Sequence, residues 1–154
     1  MLAAFWYTNR QASEHIVITI TEKEYALPYY ASGNDGECLR VWSTARLVDL
    51  AKNFPDELIP IDQIAELNEN VWFLRDHDEP TCKLVALHAK RILEADATFP
   101  VILSASGSVM DGMHRVAKAW LMGLPTIRAK KFREDPSPDM ILTHEEFRAL
   151  CIQE

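Results

Sequence analysis

The chain is poor in the features that would place it quickly. Its three cysteines, Cys38, Cys82 and Cys151, are odd in number and far apart. That fits a reduced compartment better than a disulfide-built scaffold. No apolar run approaches the roughly 20 residues of a membrane-spanning helix. The first ten residues lack both a basic flank and a long apolar centre, so they make a poor signal peptide, and the expected location is cytoplasmic. Positive charge is also in deficit, with 16 Lys and Arg against 23 Asp and Glu and a formal charge of −7. A duplex-DNA binder draws much of its affinity from neutralising phosphates, so nucleic acid is a disfavoured partner. There is no internal repeat and no low-complexity tract.

What is present suits one globular unit. The 154 residues are 48% hydrophobic and 25% charged, enough to bury a real core. Residues 1–42 read as an N-terminal β-elaboration. It holds a strand at His15–Ile20, an ill-defined segment from Glu24 to Tyr30, a turn at 32–36 and a short strand at Leu39–Trp42. The core runs over 43–135. Ser43 is placed to cap a helix from Thr44 to Phe54. Leu47, Leu50, Ala51 and Phe54 share one stripe of that helix, and Pro55 ends it. A short strand at Leu58–Ile61 and one helical turn at Asp62–Glu66 lead into a long acidic and aromatic loop. Irregular chain of that length in a small domain is often functional. Thr81 caps a helix from Cys82 to about Ala95, with Val85, His88, Ala89 and Ile92 on one face. Residues 136–154 read as a Pro136–Pro138 linker and a C-terminal helix opened by a capping box, Thr143 with Glu146. Helices and strands mix without strict alternation, which predicts an α+β fold.

The chemistry concentrates between two of these elements. Phe99–Leu103 is apolar, a Ser and Gly turn follows at 104–108, and Val109-Met110-Asp111-Gly112-Met113-His114-Arg115 leads into a helix. Gly123 is a natural left-handed end for that helix, and Pro125 blocks continuation. Asp-Gly-Met-His-Arg thus falls where a strand becomes a helix. The first amides of a helix lack intrahelical acceptors and carry partial positive charge, so such a place receives anions. Gly112 allows close backbone approach, and Arg115 is a planar cation suited to phosphate. Asp111 alone would repel phosphate; it makes sense holding Mg²⁺ or taking a proton from a hydroxyl. The plainer reading is a helix start in which Asp111 is the N-cap and His114 and Arg115 are solvated.

From Val101 to Phe132 the order strand, turn, strand, Asp-Gly-Met-His-Arg, Ala-rich helix, Gly-Leu-Pro and closing strand resembles the ParB/sulfiredoxin superfamily. Ile59-Pro60-Ile61-Asp62-Gln63-Ile64 is similar to that family's opening strand, so the likeness covers about half the chain. It implies a small mixed β-sheet with flanking helices. Sulfiredoxins carry a cysteine where this chain has Met113, which cannot form a thiolate, so their chemistry is excluded. ParB partition proteins bind CTP through a different box and continue into a DNA-binding domain for which too little chain follows Phe132. The free serine kinases of the superfamily carry Asp-Gly-His-His-Arg, differing only at Met113. That resemblance implies a nucleotide (ATP, ADP or CTP), Mg²⁺ at Asp111, and a small hydroxylated substrate. Gly112, Met113, His114, Arg115 and Ser104 would form the phosphate site. Asp111 and His114 would take part in catalysis, with Glu69, or else Glu66, as the base. Other readings stay open: a non-catalytic nucleotide- or DNA-binding regulatory module, or a nuclease using Asp111 and His114 with a divalent metal. Pairing of strand edges allows a homodimer.

Three further groups carry weaker signals. Asp76, His77, Asp78, Cys82 and His88 could ligate zinc, but their spacing matches no zinc signature, and His88 reads better as a hydrogen-bonded core residue. Trp42, Trp72, Phe73 and Trp120 are expected to pack, Trp120 in the core, with Trp72-Phe73 as the one pair that could serve as a stacking platform. Arg128 and Lys130 alternate onto one face of a strand at 126–132, a solvated face or a nucleic-acid contact.

Overall fold

The structure, a computed structural model, describes residues 29–33, 38–73 and 80–152. The expected strand at His15–Ile20, most of the segment from Glu24 to Tyr30, part of the turn at 32–36, and Asp76, His77 and Asp78 of the zinc set lie outside the described residues.

The elements are β1 (Tyr29–Ser32), β2 (Cys38–Ser43), α1 (Thr44–Ala51), β3 (Glu57–Pro60), two 3₁₀ turns (Ile61–Gln63 and Ala65–Asn68), α2 (Cys82–Glu94), β4 (Val101–Leu103), β5 (Val109–Asp111), α3 (Met113–Leu121), β6 (Thr126–Lys131), β7 (Met140–Thr143) and α4 (His144–Ile152). The class is α+β. Four strands form one sheet in the order β3-β6-β4-β5, with β4 and β6 parallel and the other pairs antiparallel. A second sheet has the antiparallel order β1-β2-β7. Its strand β7 comes from a stretch the sequence left unassigned, and it pairs the N-terminal strands with the C-terminal segment. Such pairing across about a hundred residues leaves no local mark.

The run Val101-Ile102-Leu103 is buried along its whole length because both faces of the four-stranded sheet are covered. Strand alternation sends Val101, Leu103 and Val109 to one side, where they meet Val116 and Ala119 of α3, Ile61 of the first 3₁₀ turn and Ile64 between the two turns. Ile102 and Met110 point the other way, against Leu47 and Ala51 of α1, Trp42 and Phe132. The motif helix is thereby seated on one face of the sheet, with its first turn at the end of β5.

Several expectations are corrected. α1 ends at Ala51, and Leu50 is exposed while Leu47 and Ala51 are buried. Ser43 makes no side-chain cap; its own N–H donates to Asp139 Oδ2 at 2.8 Å. Residues 136–139 are docked rather than a free linker: Trp42 Nε1 donates to the Pro136 carbonyl at 2.8 Å, Arg46 donates to the Ser137 carbonyl at 2.9 Å, and Arg46 pairs with Asp139 at 2.9 Å. On α2 the inward face is Leu84, Leu87 and His88, with Val85 and Ala89 exposed. The helix is rotated by about one position from the stripe read in the sequence. Trp120 is 63% exposed and is no core residue. Arg128 and Lys130 do share a face, but both turn to their own chain. Arg128 pairs with Asp56, and the Lys130 ammonium donates to the carbonyls of Lys52 and Phe54, each at 2.8 Å, closing the end of α1.

Other local signals hold. Thr81 Oγ1 accepts the Leu84 N–H at 3.3 Å. Thr143 and Glu146 form the reciprocal capping box: Glu146 Oε2 takes the Thr143 N–H at 2.7 Å, and Thr143 Oγ1 takes the Glu146 N–H at 3.2 Å. At the end of α3, Gly123 is left-handed (φ +69°), and Leu124 N–H reaches the Ala119 carbonyl at 3.0 Å. Among the described residues no helix is long and apolar enough to cross a membrane.

Candidate functional site

The motif turns the chain from β5 into α3 through Gly112, whose φ of +102° and ψ of 21° lie in the left-handed region. Its carbonyl accepts the amides of Arg115 and Val116 at 2.8 and 3.0 Å. The amides of Met113 and His114 thus open the helix, while that of Arg115 is turned inward. Asp111 is not the N-cap. Its Oδ2 lies 2.5 Å from Arg115 Nη2, one helical turn on, in a pair whose side chains are 26% and 22% exposed. The guanidinium therefore folds back across Gly112. A β-carbon on Gly112 would sit 2.6 Å from Arg115 Nη2, 2.8 Å from Nε and 2.9 Å from Val101 Cγ1. Arg115 Nε is buried there without a hydrogen-bond partner. The cation expected to meet phosphate is thus already met by the motif's own carboxylate.

His114 faces α2. Its Nε2 lies 2.9 Å from His88 Nδ1, and the two rings are within 11° of coplanar. One nitrogen of that contact donates and the other accepts, so a single proton serves both. Trp72 lies flat over the pair, 4.7 Å from the His88 ring and 4.9 Å from that of His114, and Phe73 meets His88 edge-on. His88 is 8% exposed. It is the hydrogen-bonded core histidine that the sequence suggested, though its partner was not foreseen. Burial, followed by the charges of His88, Arg91 and Arg115, pushes the His114 imidazole down to about 4, against the opposing effect of Asp111. At neutral pH His114 is uncharged.

The acidic loop begins in the second 3₁₀ turn and returns to the motif. Glu66 is half-buried, and its Oε1 accepts the Val109 N–H at 2.8 Å, which ties the turn to the first residue of β5. Glu69 is exposed at the end of the same turn. Both line a cavity of about 250 Å³ with Trp72, Met113 and Trp120. The two glutamates expected as bases, and one residue of the motif, therefore converge across more than 40 residues of sequence. Trp72 belongs to the platform pair read from the sequence and does line this cavity. Trp120 was missed, because its helical spacing reads as core.

The remaining candidates separate. Ser104 is 4% exposed, and its hydroxyl accepts the Ser108 N–H at 2.9 Å and bonds Ser106 Oγ at 2.8 Å. Its hydroxyl is engaged within its own turn. Cys82 is exposed and His88 is bonded to His114, so the described part of the zinc set does not assemble. Among the described residues no three His, Cys, Asp or Glu side chains gather at a metal position. Asp111 stands as one carboxylate. Mg²⁺ commonly takes one or two carboxylates and completes its octahedron with water and phosphate oxygens, so it fits here only together with a phosphorylated ligand. No family model, curated protein or solved structure gives a significant match to the chain.

Proposed function

We propose that the chain is a ParB/sulfiredoxin-like, nucleotide-binding phosphotransferase acting on a small hydroxylated molecule. The observation that supports it most is the convergence of Glu66 and Glu69 with Met113 on one cavity beside the opening of α3. Phosphoryl transfer requires an anion cradle, charge neutralisation and a group that accepts the hydroxyl proton, all within reach of one another. The amides of Met113 and His114 would cradle the phosphate. Arg115 would neutralise it by exchanging Asp111 Oδ2 for a phosphate oxygen, and its Nε has no partner to give up. Asp111, released, would hold the Mg²⁺ carried by the nucleotide, which supplies further charge neutralisation when bound. Glu69 is the better base of the two, because Glu66 is occupied with the Val109 amide.

A second reading, a non-catalytic nucleotide-binding module, is favoured by the Asp111–Arg115 pair itself, which keeps both groups occupied. Calorimetry with nucleoside di- and triphosphates, with and without Mg²⁺, tests both. The phosphotransferase reading expects Mg²⁺-dependent binding and nucleotide turnover that Asp111→Asn abolishes. Binding with turnover unchanged in Asp111→Asn removes Asp111 from the mechanism, and no binding by any nucleotide removes both readings.

A further inference from the structure

The cavity beside α3 has a charge and a wall chemistry of its own. It carries two carboxylates, Glu66 and Glu69, and two indoles, Trp72 and Trp120, and no Lys, Arg or His among its described lining residues. Two of the four groups are held in place. Glu66 is oriented by its bond to the Val109 amide, and Trp72 is pinned flat against the hydrogen-bonded His88–His114 pair. Arg115 is engaged with Asp111 and adds no free cation nearby. The rest of the wall, including Leu67, Val71 and Ile92, is apolar.

An anion in this space would meet two like charges at close range. A neutral apolar guest would strip water from both carboxylates without compensating them. An organic cation satisfies every wall at once: its charge faces the glutamates, its methyl groups face the apolar side chains, and the indole faces attract it through their quadrupoles. At about 250 Å³ the space lies just under the usual range for drug-sized ligands, which limits the guest to a small headgroup. We propose that this cavity binds a small alkylammonium ion of the size of tetramethylammonium or choline. As the acceptor of a phosphoryl group, a hydroxylated amine in this cavity rests on the phosphotransferase reading; as a bound cation it does not. The phosphate would lie outside the cavity, at the amides of Met113 and His114, and the ammonium inside it.

The test is calorimetric titration of the full chain at low salt with choline, with tetramethylammonium, and with 3,3-dimethylbutan-1-ol, the neutral isostere of choline. Saturable binding of both cations is expected, with the isostere at least roughly tenfold weaker. Trp120→Ala and Glu69→Gln should each weaken choline by roughly tenfold. Both side chains are exposed, so neither substitution threatens the core. Equal affinity for the isostere, unchanged choline affinity in the two variants, or no saturable heat with either cation would each overturn the proposal. Cation binding without any nucleotide binding would sustain this proposal and remove the phosphotransferase reading; nucleotide binding without cation binding would do the reverse.

Discussion

Replacing Gly112 with alanine probes the geometry of the motif most directly. At an ordinary helix start, Gly→Ala is neutral or stabilising, because alanine favours the helix and restricts the unfolded chain by about 0.4–1 kcal/mol. Here the backbone sits at φ +102°, where an L side chain costs roughly 1–2 kcal/mol. The new methyl would also meet Val101 Cγ1 at 2.9 Å, and Val101 is fully buried and stiff at χ1. Overpacking of that kind adds about 1–3 kcal/mol. The guanidinium contacts at 2.6 and 2.8 Å involve the far end of a flexible side chain. It can swing away, at the cost of the Asp111–Arg115 pair, which is worth at most about 1 kcal/mol. We predict a net loss of about 2–4 kcal/mol, read as a lower urea midpoint at unchanged slope. Gly112→Asn, which tolerates left-handed backbone but keeps the clash, should fall between alanine and the wild type. Asp111→Ala should lose less than about 1 kcal/mol, because it removes the pair and leaves the turn intact. A Gly112→Ala variant as stable as the parent would refute the account of this turn, and with it the placement of Arg115 over Gly112.

Two further outcomes follow from the same site. The folded-state pKa of His114 is depressed from 6.5 to about 4, so the unfolded chain binds more protons in that interval. Stability should therefore be fully present above about pH 6.5 and fall as the pH drops toward 4, and His114→Gln should flatten that part of the profile; a His114→Gln curve with the parent's slope would show that another group titrates there. Glu66→Ala removes the acceptor of the buried Val109 amide, and an unsatisfied buried donor costs about 1–3 kcal/mol; chemical denaturation showing no loss would mean that water or another group takes over the contact.

The sequence by itself determined what local chemistry can carry. Thr81 and Thr143 cap their helices because a hydroxyl beside a run of helix formers takes an orphan amide wherever the rest of the chain lies. Gly123 closes α3 because only a residue without a side chain turns left-handed there cheaply. The strand–turn–helix course through Asp111 and Gly112, and the α+β class, were legible for the same reason. Tertiary structure decided everything that depends on which face meets which. The stripe on α2 was misplaced by one position because the packing of the helix buries Leu84 and Leu87 beside His88 and leaves Val85 and Ala89 exposed. Trp120 has core spacing but lies at the edge of its helix's footprint, so it is left exposed. The contact from the Ser43 amide to Asp139 and the strand β7 went unread, because both involve partners about a hundred residues away. At the site, the motif named Asp111 and Arg115 and the family resemblance pointed to Glu66 and Glu69, but only packing showed that the first two pair with each other while the last two share a cavity with a pair of indoles. Charge and spacing list candidate groups; whether a charge is free or already matched is a property of distances, and distances belong to the folded chain.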